Sequence, residues 1–277
     1  MSSTRGLVAS SLRSSGVDGP GNRYVLFLQG CNFDCVGCHN PTTIPRYESV
    51  PDPPFGEWRA VDDVLVEVRS LRPFLSGVTV SGGEATLQLD FLVDLFGAIK
   101  ADPGLRGLTT LVDTNGTLDE SGWERLAPVL DGAMVDLKAW SPDLHRALTG
   151  SAPWAVHRSI RWLAARGLLA EVRLLLIEGV NDSEDELAGW ASFVAGAAPG
   201  VPGRVLAFRH RGTRHAAREW PETSEAAVAR GESFLAAAGM PVIGEVTTVL
   251  RAVSPTEAPE ARVQPRAQPE PFPVSTQ

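Results

Sequence analysis

The sequence predicts an α/β protein whose parallel sheet curls into a partial barrel. Short apolar runs rich in β-branched residues alternate along the chain with amphipathic stretches of helical length, and polar or glycine-rich segments follow these runs. The chain has 277 residues, of which 43% are hydrophobic, and this suits one large domain. Because strands joined by helical crossovers pair in parallel, the alternation favours a parallel sheet.

Six apolar runs have the length and composition of buried strands. In chain order they are Tyr24–Leu28, Gly77–Ser81, Leu108–Asp113, Ala133–Leu137, Ala170–Ile177 and Arg204–Phe208. The stretches expected to form helices lie at about residues 60–72, 88–101, 121–130, 153–166, 184–197 and 223–238. A further apolar segment, Pro241–Val249, is expected to close or flank the sheet.

The last part of the chain is expected to be a disordered tail. Residues 252–277 are rich in Pro, Glu, Gln and Ala and have almost no apolar periodicity. We therefore place the core domain at residues 1–251 and the Pro-rich tail at residues 252–277.

Charge and composition narrow the function classes. The formal net charge of −8 argues against general affinity for nucleic acid, which needs a positive field. Residues 1–17 are rich in Ser and Arg and contain no apolar run of seven, and no apolar stretch reaches membrane-spanning length. We therefore expect a cytoplasmic protein, in a compartment that keeps thiols reduced, with no nucleic-acid or membrane partner.

All three cysteines of the chain lie within eight residues, with the spacing Cys31-x3-Cys35-x2-Cys38. An odd number in so short a loop does not suit a disulfide framework. An iron–sulfur cubane normally takes four thiolates, so three would leave one iron open to a small molecule. Zinc bound by the cysteines and His39 is the alternative, although structural zinc sites usually draw ligands from two separated knuckles and the sequence has no second pair.

Polar signals stand at the carboxyl ends of the predicted strands. In chain order they are Gln29–Cys31, Gly82–Glu84, Asp113–Gly116, Asp136–Lys138, Arg173 and Arg209–His210. The carboxyl ends of parallel barrel strands share one rim, and active sites are built there. We therefore expect these segments to converge on one mouth.

One basic stretch stands out on this acidic chain. From Arg204 to Arg218 there are five arginines and two histidines. A solvated loop is one interpretation. The other is a docking surface for an acidic flavodoxin or ferredoxin that delivers electrons, since no cysteine is left for a second cluster.

These motifs together resemble those of the radical SAM enzymes, and in particular the glycyl-radical-enzyme activases of the pyruvate formate-lyase-activating type. The resemblance extends from Val17 to about His210. Its most specific part is Asp18-Gly19-Pro20-Gly21-Asn22-Arg23, followed by the cysteine motif and His39-Asn40-Pro41.

The resemblance implies a partial (β/α)6 TIM-like barrel that carries a [4Fe-4S] cluster on Cys31, Cys35 and Cys38. S-adenosylmethionine would bind the open iron, and its reductive cleavage would give a 5′-deoxyadenosyl radical that takes a hydrogen atom from a glycine of a partner enzyme. Such chemistry belongs to anaerobic conditions. A radical SAM enzyme acting on a small heterocyclic or nucleotide-like molecule is an alternative, and a zinc-binding interaction module is another.

The same resemblance assigns residues to the cofactor. Lys138 joins the three cysteines as a catalytic residue. The residues expected to contact S-adenosylmethionine are Gly37, His39, Gly82, Gly83, Glu84, Asp113, Asp136, Leu137, Lys138, Arg173 and His210. Within this set Glu84 would hold the ammonium group of the methionine part, and Arg209 competes with His210 for the last position.

Two further sites follow from the resemblance. Asp113, Thr114 and Met134 match positions that hold a monovalent cation, Na+ or K+, and carboxylate and hydroxyl oxygens suit such a hard cation. The residues that match contacts to the partner's glycine-bearing peptide are Asp18, Gly19, Gly21 and His39. A Pro-Gly pair also suits the centre of a type II turn, so a turn with no further role is the alternative.

Overall fold

The computed structural model describes residues 4–47 and 53–244, which form an eight-stranded sheet and seven α-helices within these ranges. The strands are β1 (Arg5–Ser15), β2 (Arg23–Leu28), β3 (Glu57–Ala60), β4 (Gly77–Gly82), β5 (Thr109–Thr114), β6 (Gly132–Asp136), β7 (Leu169–Leu176) and β8 (Gly203–Ala207). The helices are α1 (Val61–Leu71), α2 (Leu89–Ala101), α3 (Glu120–Leu126), α4 (Pro142–Thr149), α5 (Trp154–Ala164), α6 (Glu184–Ala197) and α7 (Glu225–Ala237).

The six predicted strands are confirmed as a parallel ladder. The order across the sheet is β3-β1-β2-β4-β5-β6-β7-β8, and each neighbouring pair from β2 to β8 is parallel. The register pairs Leu28 with Gly82 and Asp136 with Arg173, so these strands end at a common edge. The segments that follow the strands are therefore brought together there.

The sequence pattern does not predict β1, β3 or α4. β1 pairs antiparallel with β2 on one side and with β3 on the other. Much of its second half is exposed and carries Ser and Arg, so its composition resembles that of a loop. α4 has eight residues, begins after a Ser141 cap and ends at Gly150, whose φ is 84°. A helix this short gives little periodicity to detect.

The amino ends of the strands are filled by a buried arginine. The Arg23 side chain is fully buried and donates hydrogen bonds to Pro20 O, Val78 O, Thr79 Oγ1 and both oxygens of Thr109, at 2.5–3.2 Å. Burial lowers the pKa of Arg23 to about 10. Backbone carbonyls and hydroxyls thus replace water around this guanidinium and tie the loop before β2 to β4 and β5.

The end of the chain is described only in part. Val242 forms a parallel bridge with Gly203, so the start of the predicted segment Pro241–Val249 flanks β8. Residues 245–249, the predicted tail 252–277 and the domain boundary at residue 251 lie outside the described residues. Among the described residues, no helix is both long enough and apolar enough to span a membrane.

Candidate active site

A cavity of about 290 Å³ opens where the parallel strands end. It brings together most of the predicted site residues, which are Asp18, Cys31, Cys35, Gly37, Cys38, His39, Gly82, Gly83, Asp113, Thr114, Asp136 and Lys138. Apolar side chains complete its lining, among them Phe27, Phe33, Ile44, Leu175 and Ile177. Thiol, carboxylate and ammonium groups beside an apolar wall suit a ligand with one charged and one apolar part.

The cysteine loop is held by backbone hydrogen bonds that it donates to the end of α4. Asp34 N donates to Thr149 O and Val36 N donates to Leu148 O, both at 3.0 Å. Leu148 and Thr149 also line the cavity. The sequence interpretation omits both residues because it does not predict α4.

All three cysteines carry free, half-buried thiols. Burial raises the pKa of Cys31 to about 12 and that of Cys35 to about 11, so a metal must displace their protons. In the described part of the chain, no three His, Cys, Asp or Glu side chains converge closely enough to hold a single metal ion. Three thiols that line one cavity are the donor set that a [4Fe-4S] cluster with one open iron would need.

The paired glycines let two backbone segments meet. Gly82 has a φ of 132°, and a Cβ there would overlap the backbone of Leu28. A Cβ on Gly83 would overlap Gly30 O and would lie 2.6 Å from Thr43 O. The two glycines therefore let the end of β4 pack directly against the backbone of Leu28, at the end of β2, and of Gly30 and Thr43, which follow β2.

Glu84 supports the cavity without lining it. Its side chain is fully buried, and its oxygens accept hydrogen bonds from Thr86 N, Thr86 Oγ1, Thr114 Oγ1 and Asn115 N at 2.6–3.0 Å. Burial raises the pKa of this carboxyl, although the four hydrogen bonds favour its charged form. The Glu84 carboxylate is thus bonded to Thr86 and to the end of β5, and its expected contact with the ammonium group stays a prediction.

Arg173 is also bonded inside the protein. Its guanidinium donates to Asp113 Oδ1 at 3.0 Å, to Met134 Sδ at 2.9 Å and to the Glu171 carboxylate. Burial opposes its charge, but Asp113 and Glu171 outweigh burial and raise the pKa of Arg173. An internal ion-pair network thus surrounds the Arg173 guanidinium and reaches the cavity through Asp113, and the expected cofactor contact stays a prediction.

The three expected cation ligands have other partners. Asp113 and Met134 both accept from Arg173, and Thr114 Oγ1 donates to Glu84 Oε1 at 2.7 Å. The Arg173 guanidinium therefore contacts the side chains of Asp113 and Met134 at the positions expected to hold Na+ or K+, and the cation site stays a prediction.

Lys138 and Asp136 form an ion pair in the cavity. Lys138 Nζ donates to Asp136 Oδ2 at 2.6 Å. Burial opposes the charge on Lys138, but Asp136 and Cys35 outweigh it and raise the pKa of Lys138. Leu137, by contrast, is fully buried, with its N bonded to Arg173 O and its O accepting from Trp190 Nε1. Leu137 does not line the cavity, and its expected cofactor contact stays a prediction.

His210 does not line the cavity in the described structure. His210 Nε2 lies 2.7 Å from Trp220 O, and Arg209 Nη1 donates to Thr223 O at 2.5 Å. Both side chains are thus hydrogen-bonded within the protein, and the choice between Arg209 and His210 stays open. His39 does line the cavity, but its Nε2 is hydrogen-bonded to Arg209 O at 3.0 Å.

Asp18 connects the loop before β2 to the cavity. Its carboxylate accepts from Ser15 Oγ, and its carbonyl accepts from Thr79 Oγ1 at 2.7 Å. Gly21 has a φ of 75°, which fits the third position of the expected type II turn, and Gly19 has a φ of 120°. Of this segment, Asp18 lines the cavity, while Gly19 and Gly21 shape the turn that carries it.

Besides Thr149 and Asn40, the polar cavity residues Ser81 and Asn115 were not predicted as site residues. Ser81 Oγ donates to Asp113 Oδ2 at 3.0 Å, and Asn115 Nδ2 donates to Asn32 Oδ1 at 2.8 Å. Asn115 Nδ2 also lies 4.0 Å from Cys31 Sγ. Both residues stand next to selected positions in the Ser-Gly-Gly-Glu and Asp-Thr-Asn-Gly segments, so their position in these motifs was the available signal.

The structural neighbours share this fold. A domain of pyruvate-formate lyase-activating enzyme from Bacteroides vulgatus has a TM-score of 0.52 and 23% identity, covering 61% of this chain and 98% of that one. A radical SAM methyltransferase from Sphaerobacter thermophilus has a TM-score of 0.61 and 16% identity, covering 86% of this chain and 77% of that one. At these identities the likeness establishes the fold alone.

Sequence relatives are more similar. The pyruvate formate-lyase-activating enzyme of Streptococcus mutans is 34% identical over 198 residues, which cover 68% of this chain and 72% of the relative. Pyruvate formate-lyase 1-activating enzyme of Escherichia coli K12 is 35% identical over 175 residues, 61% of this chain and 67% of the relative. The family model of the radical SAM superfamily matches residues 25–191. The chain therefore belongs to the radical SAM superfamily.

Proposed function

We propose that this protein is a glycyl-radical-enzyme activase. The observation that carries the proposal is that Asp18, from the segment expected to contact a glycine-bearing peptide, lines the same cavity as Cys31, Cys35 and Cys38. One cavity can thus admit both a cofactor held by the cysteines and a peptide of the partner. The names of the similar S. mutans and E. coli proteins support this function.

In this proposal the three cysteine thiolates hold a [4Fe-4S] cluster and leave one iron open. When bound and reduced, the cluster supplies the electron that cleaves S-adenosylmethionine and yields the radical that removes a hydrogen atom from glycine. The chain's own residues orient the cofactor, exclude water and present the peptide. The apolar lining around Ile177 and Leu175 suits the nucleoside end.

The charged end of the cofactor is assigned to Lys138 and Asp136. The Lys138 ammonium is held in its charged form and suits the methionine carboxylate. Asp136 is its ion-pair partner and suits a ribose hydroxyl. The Gly82–Gly83 backbone lines the same cavity, and Glu84 fixes its position from behind.

A Na+ or K+ ion at Asp113, Thr114 and Met134 is not part of this proposal. Arg173 already supplies a positive charge to Asp113 at 3.0 Å. The Asp113 carboxylate and the Arg173 guanidinium then act together as a fixed, nearly neutral part of the cavity wall.

The electron donor is proposed to be an acidic flavodoxin or ferredoxin. Within the stretch from Arg204 to Arg218, Arg211, His215 and Arg218 are exposed, whereas Arg214 pairs with Asp34 of the cysteine loop. That ion pair attaches the basic stretch to the loop that would hold the cluster. Exposed positive charge beside the cluster speeds association with an acidic donor.

Charge reversal tests this donor surface. Arg211→Glu with Arg218→Glu should slow cluster reduction by flavodoxin and leave reduction by dithionite unchanged. Reversal of Arg13 and Arg106, exposed arginines outside the stretch, is the matched control. Equal rates of cluster reduction by flavodoxin for both double variants would contradict the proposed surface.

Free thiols and a protein electron donor also favour a cytoplasmic location.

The activase proposal is tested by transfer of the radical to a protein. Anaerobically reconstituted and reduced protein, mixed with S-adenosylmethionine and pyruvate formate-lyase, should form 5′-deoxyadenosine and a glycyl radical signal in electron paramagnetic resonance. Asp18→Asn should retain 5′-deoxyadenosine formation but transfer the radical less efficiently. Cofactor cleavage without a glycyl radical on this or any other glycyl radical enzyme would favour the small-molecule alternative instead.

A further inference from the structure

A fully buried asparagine links two walls of the cavity. Asn181 lies in the loop between β7 and α6 and has no exposed surface. Its Oδ1 accepts from Ile177 N at 2.7 Å, and its Nδ2 donates to Leu175 O at 2.9 Å and to Lys138 O at 3.0 Å. The side chain thus uses its acceptor and both of its donors on backbone groups.

The three partners of Asn181 all line the cavity. Lys138 follows β6, whereas Leu175 and Ile177 stand at the end of β7. Strands β6 and β7 are neighbours, but the sheet register ends at Asp136 and Arg173, before these residues. Beyond that point Asn181 provides a bridge between the two walls that does not belong to the sheet ladder.

Two side chains of α6, the helix that follows this loop, bond to residues next to Lys138. Trp190 Nε1 donates to Leu137 O at 2.9 Å, and the Glu186 carboxylate accepts from Trp140 N and Ser141 N. Those partners are not among the residues that line the cavity. Within this set of contacts, Asn181 is the side chain that bonds a cavity residue directly.

We propose that Asn181 is a positioning residue that sets the place of the Lys138 ammonium relative to the apolar wall at Ile177. The proposal rests on the proposed function, in which Lys138 contacts the carboxylate of S-adenosylmethionine. A flexible lysine side chain can reach many positions, so its useful geometry depends on a fixed backbone. Asn181 acts on the cofactor only through Lys138 and the β7 end.

The conservative variant Asn181→Asp tests this role. It keeps the size of the side chain and the acceptor for Ile177 N, but it replaces the donor to Lys138 O and Leu175 O by an oxygen. We expect the dissociation constant for S-adenosylmethionine, measured by equilibrium dialysis against reconstituted protein with an oxidised cluster, to rise about tenfold or more. Iron and sulfide content should not change. If this variant fails to fold, Asn181→Ser, which is neutral and smaller, is measured in its place with the same expectation.

A double-mutant cycle separates positioning from general loss of stability. In a Lys138→Met background the Asn181 variant should cause a smaller further loss of cofactor affinity than in the wild-type background, because the part of its effect that passes through Lys138 is already gone. Thr110→Val is the matched control, since Thr110 is fully buried and its Oγ1 donates to Val129 O at 2.7 Å, at the opposite ends of the strands. It should lower stability and leave cofactor affinity unchanged.

The outcomes distinguish this inference from the proposed function. The positioning role would be overturned if the Asn181 variant kept its affinity for S-adenosylmethionine, or if it lost equal affinity with and without Lys138. The proposed function would still stand in either case, provided that the wild-type protein binds S-adenosylmethionine. Failure of the wild-type protein to bind S-adenosylmethionine would overturn both.

Discussion

A substitution of Glu84 can distinguish a residue that supports the cavity wall from one that contacts the ammonium group of S-adenosylmethionine. Glu84→Gln keeps the shape of the side chain, and the amide oxygen can retain the three hydrogen bonds at Oε1, from Thr86 N, Thr86 Oγ1 and Thr114 Oγ1. The amide nitrogen would then face Asn115 N, which now donates to Oε2 at 2.6 Å. Two donors would meet, and one buried backbone N–H would lose its partner.

The expected cost follows from that single lost contact. Leaving a buried donor without its charged acceptor costs about 1–3 kcal/mol. Burial raises the pKa of Glu84, so removal of the charge offsets part of the loss. We expect the free energy of unfolding to fall by about 2 kcal/mol, a roughly 30-fold lower ratio of folded to unfolded protein.

Two measurements on the same variant decide the role. Anaerobic urea unfolding, followed by tryptophan fluorescence, should show the loss of stability, whereas the affinity for S-adenosylmethionine should stay within about threefold of wild type, less than 1 kcal/mol. Asp131→Asn is the control. The Asp131 carboxylate accepts a hydrogen bond of 2.7 Å from Thr110 N, and this contact lies outside the cavity. Normal stability with a large loss of cofactor affinity would refute the supporting role and restore the ammonium contact.

Three further predictions concern the framework. Burial, with Arg161 and His145 nearby, lowers the pKa of His157 to about 4, so the unfolded chain takes up a proton below its ordinary pKa of 6.5 while the folded chain does not. Stability should therefore fall by about 2 kcal/mol from pH 7 to pH 5, and His157→Phe should reduce this fall in urea titrations; an unchanged pH dependence would contradict the assignment. Gly82→Ala should cost about 3 kcal/mol or more, because its Cβ overlaps backbone, whereas Gly167→Ala, with positive φ but open space, should cost about 1–2 kcal/mol; equal unfolding midpoints would contradict the overlap. Arg23→Met should lower the free energy of unfolding by about 3 kcal/mol or more in the same assay, since it leaves two buried acceptors, Thr79 Oγ1 and Val78 O, and three part-buried ones without their donor; a neutral effect would refute its structural role.

The parallel part of the fold could be predicted because its signals are local. Each of the six parallel strands is a short apolar run, and each is followed by a polar or glycine-rich segment. β1 was not predicted because one half of it faces solvent and carries Ser and Arg. α4 escaped because eight residues with two turns give too little periodicity.

The site could be predicted as a location better than as a set of contacts. Cys31, Gly82, Asp113 and Lys138 do meet in one cavity, since strand-end position alone places them there. The position of a residue in the sequence does not reveal whether its side chain pairs with other residues of the protein or faces a ligand. The sequence pattern thus does not reveal that half-buried Asp113 and buried Glu171 both pair with Arg173.

The central claim is that three cysteine thiolates leave one iron of a cluster open for S-adenosylmethionine. The most direct measurement is the electron paramagnetic resonance spectrum of the reduced, anaerobically reconstituted protein with and without S-adenosylmethionine. We predict a [4Fe-4S] signal that changes when the cofactor is added and that is absent from Cys35→Ala. A protein that binds zinc in place of iron and sulfide, or a cluster whose spectrum the cofactor leaves unchanged, would contradict the claim.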